Sequence, residues 1–63
     1  METKDVIGFL GKKVKLVLNK EFNYRYYKGQ ILEIGIDTLT INDINDSRVL
    51  IRLEHINIIE ECL

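Results

Sequence analysis

The chain contains no proline, one cysteine and one histidine. A lone Cys62 excludes a disulfide within the chain, and Cys62 with His55 cannot supply the four ligands of a structural zinc site. We therefore expect no metal and no cofactor. Few cysteines and no secretory signal pattern are typical of a reducing compartment, so we predict a cytoplasmic protein. The apolar runs are far shorter than the ~20 residues that span a bilayer, so no membrane contact is expected.

The chain is also short. Its 63 residues are enough for one domain, residues 1–63. A domain of this size buries only about 60% of the surface of its unfolded chain. Because disulfides and metals are excluded, association with a partner subunit is the remaining means of stabilisation. The sequence therefore favours a homo-oligomer.

Catalytic patterns are missing as well. An active site needs a nucleophile beside a base, or paired carboxylates in a cleft. His55 follows Glu54 with no serine, cysteine or second histidine near it in the sequence. Asp43 and Asp46 lie in an Asn- and Asp-rich segment that is typical of a turn. We predict no catalytic residue and no enzyme activity.

Charge is nearly balanced, with a net charge of −1, but it is unevenly distributed. Residues 11–30 carry a net charge of +5, and residues 31–63 carry −5. This asymmetry has three interpretations: two solvated faces of opposite sign, a basic edge that faces phosphates, or a head-to-tail contact between subunits.

The periodicity of apolar residues predicts one short helix and five short strands. The helix covers about residues 2–10, with Thr3 as N-cap and Gly11 just past its end. The strands are predicted at about 13–19, 24–35, 38–42, 48–53 and 56–60.

Alternation within the strands predicts their buried faces. In the first strand Val14, Leu16 and Leu18 share one face. In the second strand we expect Leu32, Ile34 and Ile36 to point inward, after a bend at Gly29. Five short strands with tight turns favour closure, because long free edges invite aggregation. The prediction is an all-β fold: a small, strongly bent, five-stranded SH3-like barrel whose open end the helix covers.

Three segments carry a resemblance to a known family: IGFLGKKVKLVL at residues 7–18, YKGQILEIGIDTLTI at 27–41 and VLIRLEHINII at 49–59. Together they resemble the Sm-like proteins, which include the bacterial Hfq proteins. The order of elements is similar, from the N-terminal helix to the short fifth strand after a one-turn break. YKG at residues 27–29 is the most specific part.

The resemblance implies closed rings in which the fourth strand of one subunit pairs with the fifth strand of the next. The corresponding residues here are apolar on both faces, and they are the predicted subunit interface: Leu50, Ile51, Ile58 and Ile59. A dimer and a monomer remain alternatives to the ring.

The usual uridine-binding residues of the family differ here. Gly35 stands where an acidic residue is usual, Asp37 follows two places later, and Leu39 occupies the place of an asparagine. Of the Arg-Gly pair after the fourth strand, only Arg52 has a counterpart. The resemblance thus supports the fold and the assembly more than it supports this pocket.

Aromatic and cationic side chains alternate in the first half of the chain, as single-stranded RNA binding requires, because rings stack on bases and cations meet phosphates. In a ring of this family, Arg52 and His55 would lie near the pore. The candidate RNA-binding residues are Lys12, Lys13, Lys15, Tyr24, Arg25, Tyr26, Lys28, Arg52 and His55.

Each part of this set has an alternative. At least one tyrosine is expected in the core, and the lysines also suit a solvated strand face. The prediction is a non-catalytic RNA-binding homo-oligomer. The alternative is an SH3-like subunit that binds another protein and no nucleic acid.

Overall fold

The computed structural model describes residues 1–62, in which five antiparallel strands form a single sheet next to a short helix. The strands are β1 (Lys13–Leu18), β2 (Tyr26–Ile34), β3 (Thr38–Asp43), β4 (Arg48–Arg52) and β5 (Ile56–Glu61). The predicted strands are confirmed in number and order, and their ends differ from prediction by at most two residues. The largest difference is that Tyr24 and Arg25 precede β2 and belong to a turn.

The predicted helix over residues 2–10 is too long, and its predicted N-cap is wrong. The α-helix α1 covers Thr3–Val6, and a 3-10 turn follows at Ile7–Phe9. Glu2 is the N-cap, and its backbone nitrogen donates to Asp5 Oδ2 at 2.9 Å. The α-helix stops before Gly8, a residue with low helix propensity.

The sheet is strongly curled. Its order is β4-β3-β2-β1-β5, so β4 and β5 lie at opposite edges. In a flat sheet four strand spacings would separate them by at least about 19 Å. However, only a 3-10 turn at Leu53–His55 links β4 to β5, and such a link reaches at most about 14 Å. The sheet must therefore bend until its two edges approach each other.

The concave face of the sheet holds the core. The buried apolar residues are Val6, Val14, Leu16, Leu18, Ile31, Leu39, Ile41, Ile51, Leu53 and Ile56. The predicted inward face of β1 is confirmed. The helix contributes Val6, which is fully buried, and Phe9 packs against the same cluster. The helix therefore covers part of the apolar face that the sheet leaves open.

The predicted inward face of β2 is wrong in part. Ile31 is fully buried, whereas Leu32 is 38% exposed and Ile36 is 94% exposed. Leu32 lies at a register shift against β3 between Ile31 and Glu33, which reverses the alternation of the strand, and Ile36 lies beyond the end of β2 at Ile34. After this bulge Ile34 is again half-buried and packs on the core, as predicted.

The two loops that flank β3 are the predicted turns. Gly35 nitrogen donates to the Thr38 carbonyl at 2.8 Å and closes the hairpin between β2 and β3. Asp43 Oδ1 accepts from the backbone nitrogens of Asn45 at 2.9 Å and Ser47 at 3.2 Å. Asp46 has φ 59°, in the left-handed region. Asp43 and Asp46 therefore shape the turn before β4.

The sheet is not closed: across residues 1–62, β4 pairs only with β3, and β5 pairs only with β1. Each of these strands therefore keeps one free edge.

Candidate nucleic-acid interface

Three of the candidate lysines form a continuous stripe on the convex face of the sheet. Lys15 in β1 lies opposite Lys28 in β2. Lys13, two residues earlier on the same face of β1, lies opposite Gln30. Residues directly opposite each other in an antiparallel pair share a face and lie about 5 Å apart. We call Lys13, Lys15 and Lys28 the lysine stripe. Like charges this close repel each other, and an anion bound across them would relieve that repulsion.

An exposed aromatic ring borders the lysine stripe. Tyr26 lies opposite Val17 in the next row and is 57% exposed. Lys15 Nζ lies 4.9 Å from the centroid of the Tyr26 ring, which is within cation–π range. This contact holds the Tyr26 ring beside the lysine stripe.

The stripe keeps its positive charge. Within residues 1–62, its lysines form no ion pair with an acidic side chain within 4.0 Å. Lys12 differs, because its Nζ lies 3.5 Å from Glu61 Oε1. Glu60 on β5 lies opposite Lys15. Of the candidate lysines, Lys12 is therefore the one whose charge is already partly balanced.

A second group of candidates lies elsewhere. Arg25, Arg52 and His55 line a surface groove of about 480 Å³ between the β1–β2 connection and β4. The remaining lining residues are Leu18, Glu21, Phe22, Asn23, Tyr27, Val49, Leu50 and Ile51. We call this cavity the arginine groove. The candidate residues thus divide between the stripe and the groove.

One wall of the arginine groove is fixed by contacts around His55. The rings of Phe22 and His55 lie 4.6 Å apart between centroids, tilted by 50°. Asn19 nitrogen donates to the His55 carbonyl at 2.9 Å, and Asn19 Nδ2 donates to the Glu54 carbonyl at 2.8 Å. These bonds join the β1–β2 connection to the β4–β5 turn.

Glu54 lies beside Arg52 and His55 at this end of the groove. Its Oε1 lies 3.3 Å from Arg52 Nη1 and 3.7 Å from His55 Nε2. The Glu54 side chain is 68% exposed, so solvent weakens both contacts.

The connection between β1 and β2 contains a 3-10 turn at Lys20–Phe22 and then two residues in the left-handed region. Asn23 has φ 55° and Tyr24 has φ 53°. Asparagine tolerates this region, but for a bulky residue it costs about 1–2 kcal/mol. Tyr24 is nevertheless 55% exposed, so burial of its ring does not offset that cost.

The expectation that at least one tyrosine packs in the core is confirmed. Tyr27 lies on the concave face of β2, opposite Leu16, and packs against the buried cluster. The sequence did not identify Phe22 as a groove residue, or Asn19 and Glu54 as residues whose contacts support the groove wall. The available signal was Phe22, a large apolar residue inside a polar turn.

The predicted interface residues separate into two kinds. Leu50 is 69% exposed and Ile58 is 42% exposed, each on a sheet edge. Ile59 is half-buried against the core. Ile51 is 5% exposed and belongs to the core, so it offers almost no surface to a partner.

A cavity of about 620 Å³ lies where the family resemblance would place the uridine pocket, between the β2–β3 turn and the β4–β5 turn. Its lining is Met1, Glu2, Thr3, Lys4, Ile36, Asp37, Arg52, Leu53 and Glu54. The lining contains three carboxylates and three cationic groups, which are Lys4, Arg52 and the N-terminal ammonium group of Met1, and it contains no aromatic ring. It therefore lacks an aromatic side chain that would stack on a base.

Other chemistry is sparse in the described part of the chain. Residues 1–62 contain no group of three or more His, Cys, Asp or Glu side chains arranged to hold a metal ion. Cys62 is a free, half-buried thiol whose backbone nitrogen donates to the Lys13 carbonyl at 2.8 Å. None of the helices in this part of the chain has the length and apolar character needed to cross a membrane.

Comparison of the chain with sequence models of protein families, with curated proteins and with solved structures gave no match.

Proposed function

We propose that this chain is a non-catalytic module that binds single-stranded RNA and works as a homo-oligomer. The lysine stripe beside the exposed ring of Tyr26 carries the proposal. Three ammonium groups along the β1–β2 pair suit the phosphate backbone of single-stranded RNA, and the neighbouring tyrosine ring can stack on a base.

The experiment is the affinity of the full chain for a short single-stranded RNA. Lys15→Glu with Lys28→Glu should weaken binding at least tenfold, about 1.4 kcal/mol, because the variant replaces attraction to phosphate by repulsion. The matched control is Lys4→Glu, since Lys4 is exposed, lies on the helix and pairs with Glu2 at 3.4 Å. Equal affinity of the stripe variant and the wild type would refute the assignment.

The fold behind this proposal is an SH3-like barrel of Sm-like order. Its support is the sheet order β4-β3-β2-β1-β5, the 3-10 turn between β4 and β5, and the N-terminal helix on the core. In this proposal the free edges of β4 and β5 are covered by neighbouring copies.

The two free edges are complementary in charge and in apolar character. On the convex face, the β4 edge presents Arg48 and Leu50, and the β5 edge presents Ile58 and Glu60. An antiparallel pair that sets Leu50 opposite Ile58 of a second copy also sets Arg48 opposite its Glu60. Opposite charges and apolar pairs in these positions each contribute about 0.2–1 kcal/mol.

A charge exchange tests this register. Arg48→Glu and Glu60→Arg should each reduce the native mass of the oligomer, and the double variant should restore it. If both single variants keep the wild-type mass, the pairing of β4 with β5 is wrong.

The alternative function is a subunit that binds another protein through the same edges and binds no RNA. The exposed side chains of Leu50 and Ile58 favour it. A chain that stays monomeric and shows no RNA affinity would support this alternative.

A further inference from the structure

We infer that the arginine groove binds one nucleotide of the RNA, with the base against Phe22 and His55 and the phosphate at Arg25 and Arg52. This inference rests on the proposed function and adds a base-binding site to it, separate from the lysine stripe.

The size and lining of the groove support a planar ligand with an anionic group. Its volume of about 480 Å³ lies within the usual range for small-molecule sites. The lining combines the apolar side chains of Leu18 and Val49 with aromatic rings and cationic groups. Nucleotides combine a flat aromatic base with a phosphate, and this lining offers a surface for each part.

The aromatic side is accessible as well as fixed. Phe22 is 38% exposed, and the His55 side chain is 35% exposed. Their rings are tilted by 50°, so they form two faces of a corner and not a closed stack. Each ring keeps an exposed part, and aromatic side chains with exposed surface are the groups on which bases of single-stranded RNA stack.

The cationic side of the groove suits a phosphate group. Arg25 enters from the β1–β2 connection and Arg52 from the end of β4, so the two guanidinium groups come from different elements of the lining. Guanidinium groups bind phosphate oxygens through paired hydrogen bonds. Glu21 and Glu54 are the acidic residues near them, and Glu54 pairs with Arg52 on an exposed side chain.

Backbone strain beside the groove is consistent with a site formed in advance of binding. Asn23 lines the groove, and both Asn23 and Tyr24 have positive φ. Such conformations concentrate at ligand sites, where surrounding contacts hold them. Here the holding contacts are Arg25 nitrogen to the Phe22 carbonyl at 3.0 Å and Asn19 to the β4–β5 turn.

The test is a titration of the full-length ¹⁵N-labelled chain with adenosine monophosphate, followed by a short single-stranded RNA. We expect the amide signals of Phe22, Arg25 and His55 to shift with the mononucleotide. Inorganic phosphate alone should shift Arg25 and leave Phe22 unchanged.

Three variants test the groove, and Lys20→Gln is the matched control. Arg25→Gln should weaken mononucleotide binding about tenfold, and Lys20→Gln in the same connection should leave it unchanged. Phe22→Ala should weaken binding of the mononucleotide and not of inorganic phosphate, provided that circular dichroism shows an intact fold.

The outcomes separate this inference from the proposed function. RNA binding that shifts only Lys13, Lys15 and Lys28, with wild-type affinity in Arg25→Gln, would overturn the groove and keep the proposed function. Mononucleotide shifts in the groove without affinity for the RNA would support the groove as a nucleotide site and overturn the proposed function. Signals of Phe22 and His55, which the proposed pairing of β4 with β5 does not involve, that shift with protein concentration alone would show a second copy as the occupant and overturn the inference.

Discussion

Gly29 in β2 and Asn42 in β3 approach so closely that the position of a Cβ on Gly29 falls against the Asn42 backbone. An added Cβ would lie 2.7 Å from the Asn42 carbonyl carbon and 2.7 Å from the Asp43 Cα. Both are backbone atoms of a paired strand, so neither can move without disturbing the sheet.

Gly29→Ala should therefore destabilise the protein strongly. Overpacking in a core usually costs about 1–3 kcal/mol, and a clash with backbone belongs at or above the upper end. The free energy of unfolding from urea denaturation measures it. Gly8→Ala is the control, since a Cβ on Gly8 meets no atom within 4 Å. A Gly29→Ala variant as stable as Gly8→Ala would contradict the close approach.

The register shift in β2 makes a prediction about two adjacent residues. Ile31→Ala removes a fully buried side chain and should lower the free energy of unfolding by about 2–5 kcal/mol. Leu32→Ala, at a side chain 38% exposed, should cost much less. Urea denaturation of both variants compares them directly. The reverse order of stability would place the bulge elsewhere.

Replacement by glycine should change the free energy of unfolding in opposite directions at Tyr24 and at Tyr26. Tyr24→Gly relieves a positive φ and should raise the free energy of unfolding by up to about 1 kcal/mol, because the gain exceeds the entropy cost of glycine. Tyr26→Gly removes a strand residue and should lower it by about 1 kcal/mol. Thermal unfolding measures both. Destabilisation by Tyr24→Gly would mean that its ring contributes to the fold.

Glu54 should weaken RNA binding in the wild type, because its carboxylate partly balances the charge of Arg52. Glu54→Gln removes that negative charge and should strengthen RNA binding about two- to fivefold, as expected for exposed ion pairs. Fluorescence anisotropy with labelled RNA measures the change. Glu33→Gln is the control, an exposed residue of β2 that lies opposite Thr40. An equal gain in both variants would indicate a general charge effect.

Sequence patterns predicted the regular parts of the fold well. The alternation of Val14, Leu16 and Leu18 indicated the buried face of β1, because one face of that strand is polar. The same reasoning failed at Leu32, since a bulge adds a residue without leaving a signal in the apolar pattern. Ile51 and Leu50 were also predicted as one interface, although alternation buries one and exposes the other.

The residues of the candidate site could largely be predicted from the sequence, but their arrangement in space could be predicted only in part. Strand pairing brings Lys13, Lys15 and Lys28 together, and the register that does so depends on the length of the β1–β2 connection. The arginine groove depends on contacts between residues far apart in the chain, such as Asn19 with Glu54. No local pattern encodes these contacts.

The salt dependence of RNA affinity tests the central proposal most directly. Contacts from the three lysines of the stripe to a single strand predict a slope of log affinity against log salt of about −2. Lys15→Gln with Lys28→Gln should make the slope shallower by about 1.4, because two lysine contacts are lost. A wild-type affinity that does not change with salt, or a slope that the double variant leaves unchanged, would contradict RNA binding by the lysine stripe.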